Sequence, residues 1–380
     1  MEPCRVRGTV SSEAVSAAPP RTDCGAGRDL ERTPVFVASR DLRAARGRFA
    51  LISVVVVLIA LLVTFLSGLT AGLRHQNVSV VERIDAESVV FAASDDGPSF
   101  DESVLTSEQV AVWRRSADSV RPIGVGRGSA SAVGGAAKGV ALVGADGGVG
   151  DRAPSAPGTV ILGAGAARTL GVGAGDRLTV GDSTFAVTAV RGDDWYGHSP
   201  AVWMTLADWQ HANPRGGAAT VLAVSGGDDA TNAAAGTTSR SVADSFSAIG
   251  SYTSENGSLT LMTVMLFAIS ALVIGAFFTV WTLQRTPDVA TLKALGASTG
   301  SLVRDALGQA LVVLLAGVGV GVGTAAVAGS MIGDAVPFVL DISTTFLPAT
   351  ALVGLGLLGA AFALRFLFTT DPLTALGSTR

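Results

Sequence analysis

His75, Met262 and Met265 are the side chains in this sequence with the clearest capacity for coordination chemistry, each standing at the edge of a long apolar run. An imidazole at such a rim can ligate haem iron. A thioether nearby can supply a soft axial partner or an adaptable apolar wall. The plainer readings are a solvated rim histidine and methionines that simply pack. His198 and His211 fall in more polar sequence, while Trp195, Tyr196 and Trp203, grouped around Pro200, read as the core of a folded unit rather than a ligand site. No pair of carboxylates, no Ser/His/Asp spacing and no cluster of metal ligands emerges, so neither a catalytic nor a metal site is expected. Cys4 and Cys24 lack the flanking Cys or His that a zinc site needs and lie too near the N-terminus to staple a core.

Phosphate chemistry is excluded on similar grounds. Gly317, Gly319, Gly321 and Gly323 form a GVGVGVG run, but a phosphate-cradling glycine loop needs a strand before it and a helix start after it. Here apolar sequence lies on both sides. Small residues four apart instead let two helices approach closely, and whether the second helix belongs to this chain or to a partner stays open. The two lysines, Lys138 and Lys293, follow no P-loop spacing, so the chain has no nucleotide site or cofactor of its own. A formal net charge of −4 argues against nucleic acid, whose phosphates call for a basic face.

What must position these residues is a lipid bilayer. Of the 380 residues, 48% are hydrophobic and 15% charged, against about 25% charged in a typical soluble domain. A bilayer core of about 30 Å requires about 20 consecutive apolar residues in a helix. Four runs qualify: residues 49–73, 259–283, 306–333 and 346–364. The first is too long and too late for a signal peptide and has no small-residue cleavage site after it. Arg40, Arg43, Arg46 and Arg48 precede it. Arg285, Lys293 and Arg304 flank the connection between the second and third runs, and Arg365 follows the fourth, whereas the connection between the third and fourth has no Lys or Arg. Basic residues favour the cytoplasmic side, so both termini are expected in the cytoplasm of a multi-pass plasma-membrane protein, with residues 74–258 outside.

Residues 1–33 read as a disordered tail. From there Val35, Ala38, Leu42, Ala45 and Phe49 form one helical stripe opposite Arg40 and Arg43, which predicts an amphipathic helix over 34–48 lying in the headgroup layer; a plain basic flank is the other reading. The insert, 74–258, alternates strands and short helices: a strand at 87–93, a helix at 107–115, a strand at 159–162, a helix at 164–170 ended by Gly171, strands at 176–180 and 184–190, a strand at 202–204 and a helix at 206–211. Residues 124–150 are too rich in Gly, Ala and Ser to place. The expected fold class is a membrane protein with four transmembrane helices and a large extracytoplasmic α+β domain, not a barrel, between the first two.

The cytoplasmic loop, 284–305, contains a second device. Pro287 presets a first helical turn, Asp288 puts negative charge at its positive end, Val289, Leu292 and Leu295 form an apolar stripe, and Gly296 can end the helix. An exposed stripe of this kind fits a partner's groove, or else packs on the chain's own N-terminal helix or tail.

Three segments carry a family resemblance. The loop 284–309, with Leu-Lys-Ala-Leu-Gly-Ala at 292–297, the segment 158–190, in which a helix ending Leu170-Gly171 leads into Gly175-Asp176 and paired strands, and the closing Asp371-Pro372 with Ala375-Leu376 together resemble the FtsX-like and MacB-like permeases of type VII ABC transporters. The stretch from Leu42-Arg43 to Leu51 and the final Ala375-Leu376-Gly377 look most like Gram-positive haem-export permeases. The resemblance implies that 74–258 is a MacB-like core domain and that Pro287, Asp288, Val289, Leu292, Lys293, Leu295 and Gly296 couple to an ATPase. It further implies a homodimer working with two separate ATP-hydrolysing subunits, and a hydrophobic or amphiphilic substrate such as haem. His75, Met262 and Met265 would be the substrate candidates. The alternative is a signalling permease in which the same motion activates an external cell-wall hydrolase and nothing is transported.

Overall fold

The computed structural model describes residues 46–147, 149–333 and 336–364. The expected tail 1–33, most of the expected interfacial helix 34–48, both cysteines and the tail 365–380 lie outside the described residues.

Among the described residues, four helices are long and apolar enough to cross a membrane. They are α1 (Arg46–Glu82), α6 (Gly250–Gln284), α8 (Thr299–Ile332) and α9 (Ile342–Leu364). Each outruns its apolar stretch. α1 continues nine residues past Leu73, and α6 begins nine residues before Leu259. Hydropathy cannot see these extensions, because their cover is protein rather than lipid: Val78, Val80, Val81 and Ile84 are buried in the core of the inserted domain, as is Ile249 beside the start of α6. α8 likewise starts at Thr299, inside the expected loop, where the Ser298 side chain caps it by accepting from the Ser301 amide. α9 starts four residues early because Asp341 and Thr344 bond reciprocally: the Thr344 amide donates to Asp341 Oδ1 at 2.7 Å and the Asp341 amide to Thr344 Oγ1 at 2.8 Å.

The helices close on small residues. A Cβ at Gly317 would stand 2.6 Å from Val56 Cγ1, and one at Gly321 would stand 2.6 Å from Ala60 Cβ. These two glycines therefore seat α8 on α1 of the same chain, which answers half of the question the glycine run poses. Gly319 and Gly323 face the other way, with nothing within 4 Å of a built Cβ. Phe338, from the α8–α9 connection, stacks on Phe65 with ring centroids 5.3 Å apart.

The insert is a single ten-stranded sheet with short helices on it. Its strands are β1 (Ser88–Ala92), β2 (Ser119–Ala132), β3 (Lys138–Ala145), β4 (Thr159–Leu162), β5 (Arg177–Val180), β6 (Ser183–Val190), β7 (Trp195–Tyr196), β8 (Ser199–Met204), β9 (Val221–Ser225) and β10 (Thr237–Ser241). Its helices are α2 (Ser107–Ser116), α3 (Ala164–Leu170), α4 (Leu206–Ala212) and α5 (Asp229–Ala235). The order is β10-β1-β9-β2-β3-β8-β4-β6-β5, with β7 on β8. β5 also pairs back with the end of β2 through Ala130, Ser131 and Ala132. The module is α+β as expected, but six of its strands, β2-β3-β8-β4-β6-β5, close into a ring, so the expectation of no barrel needs correcting there. The cause is the length of β2. Its 14 residues pair with β9 and β3 and still reach β5. The glycines that hid this segment are also what fits it around a helix: Cβ atoms at Gly124 and Gly144 would collide with the Trp209 indole of α4. Phe185, Leu178, Leu162, Leu142 and Trp209 fill the ring.

Candidate functional site

At one end of the helix bundle the chain makes a short helix, α7 (Thr286–Ala294), with Pro287 in its first turn. Arg285 joins it to α6. The Arg285 amide donates to the Trp281 and Thr282 carbonyls, and its own carbonyl accepts from the Val289 amide. Asp288 lies in the first turn of α7. The helix stops one residue before Leu295, at a glycine cap. Gly296 adopts φ +93°, its amide donates to the Lys293 carbonyl, and the Ala297 amide donates to that of Leu292, both at 3.0 Å. Such caps satisfy carbonyls that the end of a helix leaves open. The expected stripe splits in two. Val289 packs on the membrane core, whereas Leu292 is 44% and Leu295 80% exposed. Leu292 also borders a mostly apolar recess of about 40 Å³ whose lining includes Trp281, Val289, Leu302 and Leu364 together with Arg285 and Asp305. Lys293 is half-buried on the same helix.

Beneath α7 sits a polar contact that the sequence did not announce. Gln309, on α8, is 1% exposed. Its Oε1 accepts from the Arg285 guanidinium at 2.6 Å, and its Nε2 donates to Asp305 Oδ2 at 2.8 Å. The Arg285 guanidinium also lies over the Trp281 ring, 5.1 Å from its centroid. A lone Gln in an apolar run carries no periodic signal, so only its polarity hinted at a partner.

At the other end of the bundle, the expected coordination residues are not brought together. His75 borders a groove of about 370 Å³ with Arg168, Asp193, Trp195, Pro337 and Phe338. Its Nε2 donates to the Asp193 carbonyl at 2.7 Å, so the imidazole is neither a solvated rim group nor a fully available ligand: it fastens α1 to the insert. No residue of α6 lines that groove. Met262 and Met265 are more than half exposed on α6. His211 Nδ1 bonds the Ala207 carbonyl within α4. Tyr196 and Trp203 are buried as core, as expected, with Trp195 partly so; burial, reinforced by the nearby Asp101 carboxylate, pushes the Tyr196 phenol well above its ordinary value. Among the described residues no three His, Cys, Asp or Glu side chains converge as a metal site would require.

Two polar junctions root the insert on the membrane helices. Asp194, 1% exposed, accepts from Arg83, the residue after the end of α1, at 3.0 Å and from the buried Arg152 at 2.6 Å. His198, at φ +62°, meets Glu255 of α6 at 2.8 Å, and Asn77 of α1 donates to the same carboxylate at 3.0 Å. Both carboxylates are isolated in sequence from their partners by dozens of residues, and spacing gave no clue to either.

The bundle is where the comparison with known proteins is most specific. Residues 260–372 match the family described as FtsX-like permease C-terminal. The chain carries an FtsX-like permease domain. Over 351 residues this permease is 24% identical to a Staphylococcus epidermidis protein named as the hemin transport system permease HrtB, covering 90% of this chain and 99% of that one. It is 29% identical over 123 residues, 32% of this chain and 34% of the other, to an uncharacterised ABC transporter permease of Mycobacterium tuberculosis. Among solved structures it is similar to the periplasmic region of MacB from Actinobacillus actinomycetemcomitans, with 13% identity, a TM-score of 0.31 and coverage of 43% of this chain and 92% of that one. An FtsX-like permease domain at 260–372, four described helices long and apolar enough to cross a membrane and an α+β domain inserted between the first and second agree with a multi-pass membrane protein similar to ABC-transporter permeases.

Proposed function

We propose that the permease is the membrane subunit of an ATP-driven exporter that works as a homodimer with two separate ATPase subunits. The observation that carries this reading is Leu295, 80% exposed beside Leu292 at the glycine-capped end of α7. Two leucines held out at the capped end of a short helix suit a groove in a partner protein. ATP-driven closure of the partners would move α7, and α1 and α6 would carry that movement to the insert. The substrate is a hydrophobic or amphiphilic compound. Haem is the candidate, since the staphylococcal relative is named for hemin transport.

Leu295→Asp tests the docking. Its side chain is exposed, so the change should leave the permease folded in the membrane. A charge buried in a partner's groove without a counter-ion costs several kcal/mol, and every 1.4 kcal/mol is about tenfold in affinity. Leu295→Asp should therefore lose co-purification of the ATPase subunit and lose hemin tolerance of the host cells. Thr291→Asp, exposed on the same helix, should retain most of both. Equal retention by the two variants would remove α7 as the docking element.

This function also requires the insert and α7 to lie on opposite sides of the membrane. With Cys4 and Cys24 changed to Ser, an impermeant maleimide on intact cells should label Ser107→Cys, at the exposed start of α2, and not Gly300→Cys, where a Cβ meets nothing within 4 Å. Equal labelling overturns the sidedness.

A further inference from the structure

We propose that Gln309 is the positioning residue through which movement of α7 reaches α8, a proposal that rests on the reading that α7 docks an ATPase. α7 touches the bundle sparingly. Val289 and Ala290 face inward, and the rest of its described side chains are exposed or half-exposed. Those apolar contacts can slide. The bond from Arg285 cannot, because Arg285 is itself the joint between α6 and α7: its amide closes the last turn of α6 and its carbonyl opens the first of α7. Any rotation of α7 about that joint displaces the guanidinium, which holds Gln309 Oε1 at 2.6 Å.

The residue type is informative. A primary amide accepts with its oxygen and donates with its nitrogen, and both faces of Gln309 are in use, toward Arg285 and toward Asp305. A carboxylate there would hold Arg285 but oppose Asp305. An aliphatic side chain would pack well among Ala306, Ala310 and Val313, which are buried on the same stretch of α8. Replacing buried polar groups by well-packed apolar ones is often neutral or stabilising, and Arg285 and Asp305, both only half-buried, keep access to water when the amide is removed. Stability alone therefore gives no reason for an amide at this position, while a link between two mobile helices does. Gln309 also lies one turn below Val313 and Leu314, and Leu314 fits against Gly356 of α9, so a pull on this part of α8 is felt by the fourth helix as well.

The test uses the complex of permease and ATPase subunit in lipid nanodiscs, with Cys4 and Cys24 replaced by Ser and an environment-sensitive dye on Met331→Cys, an exposed position at the far end of α8. MgATP should change the dye signal in the otherwise unaltered permease. Gln309→Leu should keep its ATPase subunit and its melting midpoint, yet lose at least four-fifths of that ATP-dependent change. The pair Gln309→Glu with Asp305→Asn rebuilds the bridge with donor and acceptor exchanged, and should recover at least half of the change, while Gln309→Glu alone should not. A full response from Gln309→Leu overturns the relay, and so does failure of the exchanged pair to recover any. Leu295→Asp run alongside separates the two levels. If it keeps the ATPase subunit, the docking reading falls and the relay with it. If it loses the ATPase while Gln309→Leu responds normally, only the relay falls.

Discussion

Asp194→Ala should destabilise the inserted domain by about 3–4 kcal/mol, the lower part of the range of about 3–5 kcal/mol for stripping a buried ion pair of one partner. Asp194 has no exposed side chain and bridges Arg83 and Arg152. The two legs are unequal. Arg83 is half exposed and can return to water, so its share is the small one of a surface pair. Arg152 is 7% exposed and would keep its charge inside, leaning on Asp151 beside it. In a domain of this size each kcal/mol moves the melting midpoint by about 2–4 °C, so a fall of about 6–16 °C is expected in the tryptophan-monitored unfolding of the full chain. Arg83→Ala should lower the midpoint by less than half as much. A fall of under 3 °C for Asp194→Ala would show that the arginines find other company.

Gly321→Leu should abolish the folded permease, and Gly323→Leu should not. A Cβ at Gly321 would stand 2.6 Å from Ala60 Cβ, 2.7 Å from the Val57 carbonyl oxygen and 2.9 Å from the Leu61 amide nitrogen. Two of those three atoms are backbone and cannot rotate away. Overpacking a core costs about 1–3 kcal/mol where side chains can adjust, and more where helices must separate along their length. The monodisperse peak in size-exclusion chromatography should fall at least tenfold for Gly321→Leu relative to Gly323→Leu, whose new side chain meets open space. Similar yields would mean that α1 and α8 are not held together at this crossing.

The contrast between those glycines shows what the sequence could and could not convey. A run of alternating glycines announces close helix approach, but both i, i+4 pairs look alike until the helix is rotated against a neighbour, and only then do Gly317 and Gly321 turn inward. The membrane runs were legible because lipid demands uniform apolarity, and the turns at Gly171 and Gly296 because each takes a positive φ that suits glycine. β2 and β3 were not, since Gly124, Gly126 and Gly128 erase the alternation that marks a strand. Within the candidate site, α7 and its cap could be read locally. Its split into an inward Val289 and an outward Leu295 could not, nor could the Gln309 bridge, because both depend on residues about 20 positions away. That His75 stands apart from Met262 and Met265 within the chain was hidden for the same reason: each lies at a helix edge, on helices whose facing surfaces the sequence does not specify.

The unbroken run of α1 has a mechanical consequence. Its 37 residues amount to a rod of about 55 Å at 1.5 Å per residue, with no proline to hinge it, and its far end is sunk in the hydrophobic centre of the sheet. A rod so anchored cannot dissipate a tilt between its ends. Pivoting by 10° about the inner tip would swing the outer tip through about 10 Å on that length, so a small angular input among the membrane helices becomes a displacement as large as a helix is wide.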